Sequence, residues 1–214
     1  MKVISVNVGL PIKVNFGREV VTTGIFKNPI KHRVKLNKLN FEGDKQADLT
    51  VHGGIDKAVY AYPSEHYEFW KKEIKDFEYS WGTFGENLTT EGLLENEVNI
   101  GDQFKIGSAK VIATQPRMPC YKLGVRFGRM DIVRRFMASE RSGIYFKVAQ
   151  EGEIGVNDKI ELIKSDKNRV TIHDIVRLQI TDGRNLELMN RAIKTKDLPE
   201  GWRNYFMEKL SLLK

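Results

Sequence analysis

The hydrophobic positions of the chain follow two different patterns, one before about residue 165 and one after it. Over residues 1–164, short apolar stretches alternate with polar ones, and glycine-containing turns separate them. The first ten residues show the alternation clearly, with Val6 and Val8 spaced two apart. A period of two is typical of β-strands, and many short strands with frequent glycine turns favour a barrel or sandwich. The pattern therefore predicts a mainly β (α+β) fold with helical insertions.

Individual strands are predicted wherever β-branched and apolar residues cluster between turn residues. They fall within residues 1–10, 18–23, 33–39, 97–102, 103–106, 110–114, 142–149 and 152–163. Two stretches of this region, 65–75 and 128–139, instead repeat apolar residues three or four apart, which predicts helices on the barrel or sandwich.

Beyond a polar linker at residues 165–170 the period becomes helical throughout. Three short helices are predicted, at 172–178, 185–193 and 201–213, which divides the chain into domains 1–164 and 165–214. About 50 residues make a marginal domain, so we expect these helices to pack against the barrel or against a second copy of the chain. In the second case they would form the interface of a homodimer. Its ten Lys and Arg against seven Asp and Glu are spread along the segment, so we do not expect nucleic acid as a partner.

Composition adds few constraints. Hydrophobic residues make up 41% of the 214 residues and charged residues 29%, which is ordinary for a globular protein. The net charge of +7 favours anionic ligands. A single cysteine, a first segment typical of a strand rather than of a signal peptide, and no apolar run near 20 residues predict a cytoplasmic protein without a membrane partner.

The least ordinary stretch is residues 114–123, which holds the only cysteine, Cys120, beside two prolines. Prolines fix φ and remove backbone donors, so the stretch is predicted to be a stiff connector that is neither helix nor central strand. Arg117 and Lys122 bracket the thiol, and nearby cations favour the thiolate, which is a nucleophile and a soft metal ligand. A free cysteine is equally often a small buried hydrophobe. The residues alone leave these two interpretations open.

A polar segment at residues 41–58 contains Gly53-Gly54 followed by Lys57, with Asp48 and His52 before them. Paired glycines beside a lysine let backbone N–H groups approach a phosphate. The spacing matches neither a P-loop nor a dinucleotide fingerprint, so taken alone His52 is more simply a polar loop residue.

Four segments together resemble the MOSC domain family, named for the C-terminal domain of molybdenum-cofactor sulfurases. They are residues 43–58 with the His-Gly-Gly run, the glycine-framed segment 84–92, residues 100–107, and residues 115–123 with the cysteine. Their order and spacing are similar to the stand-alone bacterial branch, whose members carry a three-helix C-terminal extension and include a reductase of N-hydroxylated bases such as hydroxylaminopurine.

The resemblance implies a MOSC-type β-barrel with a small three-helix C-terminal domain that holds a molybdenum cofactor, with Cys120 as molybdenum ligand. It implies that cations and backbone donors bind the pterin phosphate or nucleotide. The candidates are Arg117, Lys57, Lys122, Gly53, Gly54 and Asn87. Asp48 and His52 would line the substrate mouth, with His52 as the proton relay.

The activity implied is reduction of N–O bonds in a small N-hydroxylated substrate. Electrons would come from a separate flavin or iron–sulfur protein, because this chain has one cysteine and no fingerprint for a flavin or nicotinamide cofactor. Two alternatives stay open: a non-redox carrier or sulfur-transfer module that uses the same residues, and a nucleic-acid adaptor that uses the basic helical tail.

Overall fold

A computed structural model describes residues 1–47 and 53–213, which form twelve β-strands, six α-helices and a 3₁₀ turn at Ile55–Lys57. The strands are β1 Lys2–Val8, β2 Ile12–Phe16, β3 Glu19–Thr23, β4 Asn28–Ile30, β5 Val34–Leu36, β6 Val59–Pro63, β7 Leu88–Glu91, β8 Gln103–Ile106, β9 Ala109–Pro116, β10 Ile144–Gln150, β11 Gly152–Ile154 and β12 Ile160–Lys164. The helices are α1 Glu65–Glu73, α2 Tyr121–Phe127, α3 Asp131–Ala138, α4 Ile172–Ile180, α5 Leu186–Lys194 and α6 Glu200–Leu212.

Eight strands form one mixed sheet in the order β12-β8-β9-β10-β6-β7-β1-β4. Neighbours are antiparallel except for β6 and β7. The sheet curls, because the Val3 N–H donates to the Asp158 carbonyl at 2.9 Å and the Ile160 N–H to the Met1 carbonyl at 3.0 Å. Strands β12 and β4 are the two ends of the sheet order, and an antiparallel bridge between Lys2 and Lys159 also connects β1 to the segment before β12. The predicted mainly β, α+β class is confirmed.

Two hydrophobic clusters fill the interior of the part of the chain that the structure describes. The larger one lies against the sheet and includes residues of the C-terminal helices, among them Ile175, Met189 and Phe206, which are all fully buried. The smaller one lies under α1, α2 and α3 and is rich in aromatic rings, with Trp70 stacked on Phe136 at a 5.8 Å centroid distance. The division into domains at residue 164 stays a prediction, but the main core is continuous across it.

The C-terminal helices are predicted correctly from their apolar period, and two of them begin at side-chain caps. The Thr171 side chain accepts from the Asp174 N–H, and the Asp174 carboxylate accepts from the Thr171 N–H, which makes a capping box at α4. The Asn185 side chain likewise caps α5 by accepting from the Leu188 N–H. No helix among the described residues is long and apolar enough to span a membrane.

The predicted strand at 97–102 is wrong. This segment is a turn, because the Asp102 carboxylate accepts the Asn99 N–H at 2.9 Å and Gly101 has a φ of 90°. Local side-chain bonding of this kind competes with strand pairing.

The prediction that residues 114–123 form one irregular connector is also too broad. Strand β9 runs through Pro116 in the middle of the sheet, and α2 begins at Tyr121, which leaves only residues 117–120 irregular. A proline at the end of a strand loses little pairing. The first N–H groups of a helix have no intrahelical acceptor in any case, so a proline just before it is tolerated.

Candidate functional site

Cys120 lies at the start of α2, in an extended backbone conformation that directs the chain from the four-residue connector into the helix. Its side chain is partly exposed. Strand β9 is hydrogen-bonded on both sides, to β8 and β10, and therefore anchors the connector at its other end. The thiol is thus held between a central strand and a helix, at the wall of a cleft.

The cleft has a cavity volume of about 90 Å³, which is below the usual range of 300–1,000 Å³ for pockets that enclose a ligand. Besides Cys120, its charged lining residues are Lys27, Lys45, Lys57, Arg117, Lys122 and Asp44. Five cations against one carboxylate make the cleft strongly attractive to anions. The positive charge of the cleft has the same sign as the net charge of the whole chain, which is +7.

Arg117 is the central cation of the cleft, and it is 7% exposed. Its guanidinium donates to the Phe84 carbonyl and lies over the Tyr60 ring at 4.9 Å and near the Phe136 ring at 5.9 Å. Of the ion pairs found among the described residues, none includes Arg117. Arg117 also has a side-chain hydrogen bond with Tyr60 and a favourable electrostatic interaction with Cys120. Buried charges are normally paired, and no carboxylate pairs with this guanidinium among the described residues, so it can bind an anionic ligand.

A buried ion pair lies on another wall. The Lys27 ammonium donates to Asp44, whose carboxylate also accepts the Gly9 N–H at 2.9 Å and an Asn87 side-chain N–H at 2.9 Å. The two side chains are 8% and 1% exposed. Burial lowers the pKa of Lys27, and the attraction of Asp44 opposes that shift.

Asn87 connects this pair to the sheet. Its side-chain oxygen accepts the Tyr60 N–H at 3.1 Å while its nitrogen donates to Asp44. The neighbouring Glu86 is fully buried and accepts from the Gly82 and Phe84 N–H groups and from the side chains of Tyr67 and Thr89. Burial raises the pKa of Glu86. This turn therefore fixes both Asn87 and the Phe84 carbonyl that receives Arg117.

Of the residues predicted from the sequence, Cys120, Arg117, Lys57, Lys122 and Asn87 all line the cleft. Their predicted roles toward a cofactor remain predictions. Asn87 already uses both side-chain atoms within the protein, so its first role in the structure is to position Asp44.

Gly53 and Gly54 line a second groove, which meets the cleft at Lys57. Burial lowers the pKa of Lys57, and Asp56 opposes that shift. Asp48 and His52 lie outside the described residues.

The sequence reasoning missed Lys27, Lys45, Asp44, Tyr60 and Tyr145 as cleft residues. Asp44 and Lys45 belong to the Gly-Asp-Lys run that carried the family resemblance, so that motif could have identified them. Lys27 follows a phenylalanine in an unremarkable stretch, and only the fold brings it to the cleft.

The donor set of the cleft fits a molybdenum cofactor. Among the described residues, no group of three or more His, Cys, Asp or Glu side chains could hold a metal ion. A metal in this cleft would therefore need most of its ligands from its own organic cofactor, and a single soft thiolate such as Cys120 suits a centre already bound by dithiolene sulfurs. The cations of the cleft, Arg117 among them, fit the anionic end of the pterin.

Comparisons with known proteins give a consistent assignment. The family model described as "MOSC domain" matches residues 48–161. YflK of Bacillus subtilis (strain 168) is 41% identical over 97% of this chain and 93% of its own length. A protein named "Reductase" from Gibberella moniliformis is 30% identical over 84% of this chain, which corresponds to 32% of that longer protein.

Comparison with solved structures supports the same family assignment. The crystal structure of YiiM from Geobacillus stearothermophilus superposes with a TM-score of 0.81 at 32% identity, over 98% of both chains. A likeness that covers the C-terminal helices as well as the sheet extends beyond the matched domain. By sequence and by structure, the chain belongs to the MOSC domain family, which is associated with the molybdenum cofactor.

Proposed function

We propose that this protein is a molybdenum-cofactor-dependent reductase of N-hydroxylated compounds, with Cys120 as the protein ligand of molybdenum. The observation that carries the proposal is Arg117, a buried guanidinium without an ion-pair partner among the described residues, in a cationic cleft that also holds the only cysteine. Membership of the MOSC family and the reductase named among the relatives support the same reaction class.

In this proposal the residues of the cleft have separate tasks. Cys120 holds the metal, and Arg117, Lys57 and Lys122 hold the anionic end of the pterin. The pair of Lys27 and Asp44 shapes the wall and keeps one more cation at the cleft. When bound, the molybdenum cofactor supplies the two-electron redox chemistry.

The reaction balances as R–NH–OH plus two electrons and two protons, which gives R–NH₂ and water. The electrons come from a separate flavin or iron–sulfur protein. His52 remains our candidate for the proton relay, since a histidine can exchange protons near neutral pH. It lies outside the described residues, so this role rests on the sequence alone.

The first test is the molybdenum and pterin content of the full chain purified from a host that makes the cofactor. We expect near-stoichiometric molybdenum in the wild type and little in Cys120→Ala. The surface variant Lys105→Ala serves as the control, because Lys105 is exposed on β8 and does not line the cleft. Equal molybdenum in Cys120→Ala and wild type would refute Cys120 as the ligand.

The second test separates a reductase from a carrier or sulfur-transfer module. Loaded protein is supplied with a chemically reduced electron donor and 6-hydroxylaminopurine, and the formation of adenine is followed. We expect turnover in wild type and none in Cys120→Ser, with unchanged urea unfolding of the variant. Full cofactor loading without any N–O reduction would favour the carrier.

A further inference from the structure

The second groove adjoins the cleft and has no role in the proposed function so far. One side is the segment Gly53–Lys57, the other is the start of α6 with Pro199, Gly201 and Trp202, and Gln115 of β9 lies between them. The groove thus lies where the C-terminal helices meet the sheet. Its residues combine an indole, a proline and the half-exposed Ile55 with backbone and charged polar groups.

Trp202 is held in a defined orientation. Its indole N–H donates to the Gln115 side-chain oxygen at 2.9 Å, and its ring stacks on Phe206 with a centroid distance of 5.7 Å and an interplanar angle of 27°. Gln115 is itself buried. An aromatic ring whose polar atom is already bonded and whose position is fixed on one side can offer its remaining surface to a ligand at little entropic cost.

Two glycines leave the groove open. At Gly54 and at Gly201 an added Cβ atom would meet no other atom within 4 Å. Gly54 has a φ of 97°, which side-chain-bearing residues rarely adopt. Gly201, in the first turn of α6, has no such backbone requirement, and glycine is a poor helix former. Gly201 therefore contributes open space to the groove and is not required by the backbone conformation.

The groove and the cleft are joined by shared elements. Lys57 lines both. Gln115 of the groove precedes Cys120 of the cleft by five residues, so their Cα atoms are at most about 18 Å apart even if the chain were fully extended. One molecule can therefore extend from the thiol region past Lys57 into the groove.

We infer that the groove binds the planar heterocyclic ring of the substrate, with Trp202 as its stacking wall. This inference rests on the proposed reductase function, and it assigns the C-terminal helices a role in substrate specificity. A nucleobase has a flat apolar face and a polar edge. The indole, Ile55 and Pro199 suit the face, while the Gly53–Gly54 backbone and Asp56 suit the edge.

The test measures binding of adenine, the product of hydroxylaminopurine reduction, to the full chain by calorimetry and by ligand-observed NMR. Gly201→Leu fills the groove on a helix that should tolerate it, and Asn204→Leu makes an equal change at an exposed position of the same helix outside the groove. We expect adenine binding to wild type and Asn204→Leu, and its loss in Gly201→Leu. Trp202→Ala should weaken binding about 5- to 150-fold, the range for removing one stacking aromatic, and Trp202→Phe should restore most of it.

With loaded enzyme, the groove variants should raise KM for hydroxylaminopurine, leave kcat and molybdenum content near wild type, and leave KM for hydroxylamine, which is too small to reach the groove, unchanged. Absence of adenine binding to wild type, or equal adenine binding by wild type and Gly201→Leu, would overturn the inference. Because the adenine measurement needs no molybdenum and no turnover, adenine binding without N–O reduction would refute the reductase and retain the groove as a nucleobase site.

Discussion

The buried pair of Lys27 and Asp44 allows one prediction to be worked through in detail. The change is Asp44→Asn, which keeps the shape of the side chain but removes the negative charge from a position where it is 1% exposed. It leaves the Lys27 ammonium buried without its counter-ion. Breaking a buried ion pair by removing one partner costs about 3–5 kcal/mol of folding free energy.

An unpaired, buried ammonium cannot destabilise the folded variant by more than the free energy needed to remove its proton. In the variant the lysine can lose its proton, and doing so at pH 7 from an ordinary pKa of 10.5 costs about 5 kcal/mol. At pH 9 the same step costs only about 2 kcal/mol. The folded variant then binds fewer protons than the unfolded chain, whose lysine still titrates at 10.5, so the free energy of unfolding rises with pH in this window.

The assay is urea unfolding of wild type, Asp44→Asn, Lys27→Met and the double variant at pH 7 and pH 9. We expect Asp44→Asn to lose about 3–5 kcal/mol at pH 7 and no more than about 2 kcal/mol from the unpaired charge at pH 9. The double variant should be more stable than Asp44→Asn alone, because it removes the uncompensated ammonium. A loss below about 1 kcal/mol at pH 7, or a loss that does not shrink at pH 9, would refute this account of the pair.

Two further predictions concern the cleft. Because burial lowers the pKa of Lys27 and of Lys57, both side chains should lose their charge at a lower pH than an ordinary lysine. The affinity of the apo-protein for sulfate should therefore fall as pH rises from 7 toward 10, and it should fall less steeply in Lys27→Met. Calorimetry that shows constant affinity over this pH range would contradict the prediction. The two oxygens of Glu86 accept the Gly82 and Phe84 N–H groups separately, so Glu86→Gln places an NH2 group against one of these two donors. It should cost about 1–3 kcal/mol in urea unfolding and weaken sulfate binding through the displaced Phe84 carbonyl, and an unchanged free energy of unfolding would contradict that role for Glu86.

The sequence predicted the parts of this protein whose structure is determined locally. The three C-terminal helices follow from their apolar period, which acts within a few residues, and the structure adds local caps at Thr171 and Asn185. The strand at 97–102 was predicted wrongly because Asp102 bonds to the backbone of its own turn, an effect that apolar alternation does not reveal.

Candidate chemistry was visible where residue types are rare or occur in a motif. The single cysteine, Arg117 and Lys122 are close in sequence and lie together in the cleft, as expected. The use of Asn87 was not predictable in the same way, because its partners Tyr60 and Asp44 are 27 and 43 residues away along the chain.

Only the tertiary structure decided which distant side chains line the cleft. It also decided that Gly53, Gly54 and Gly201 line the groove. Lys27 comes from the loop before β4, Arg117 from the connector after β9, and Trp202 from α6, and hydrophobic periodicity does not encode their meeting. The sequence by itself predicted the mainly β body, the helical tail and the cysteine as a candidate metal ligand. The sheet pairing and the shared core then fixed the cleft and the groove, because burial and long-range packing, not local preference, set the distance between residues far apart in the chain.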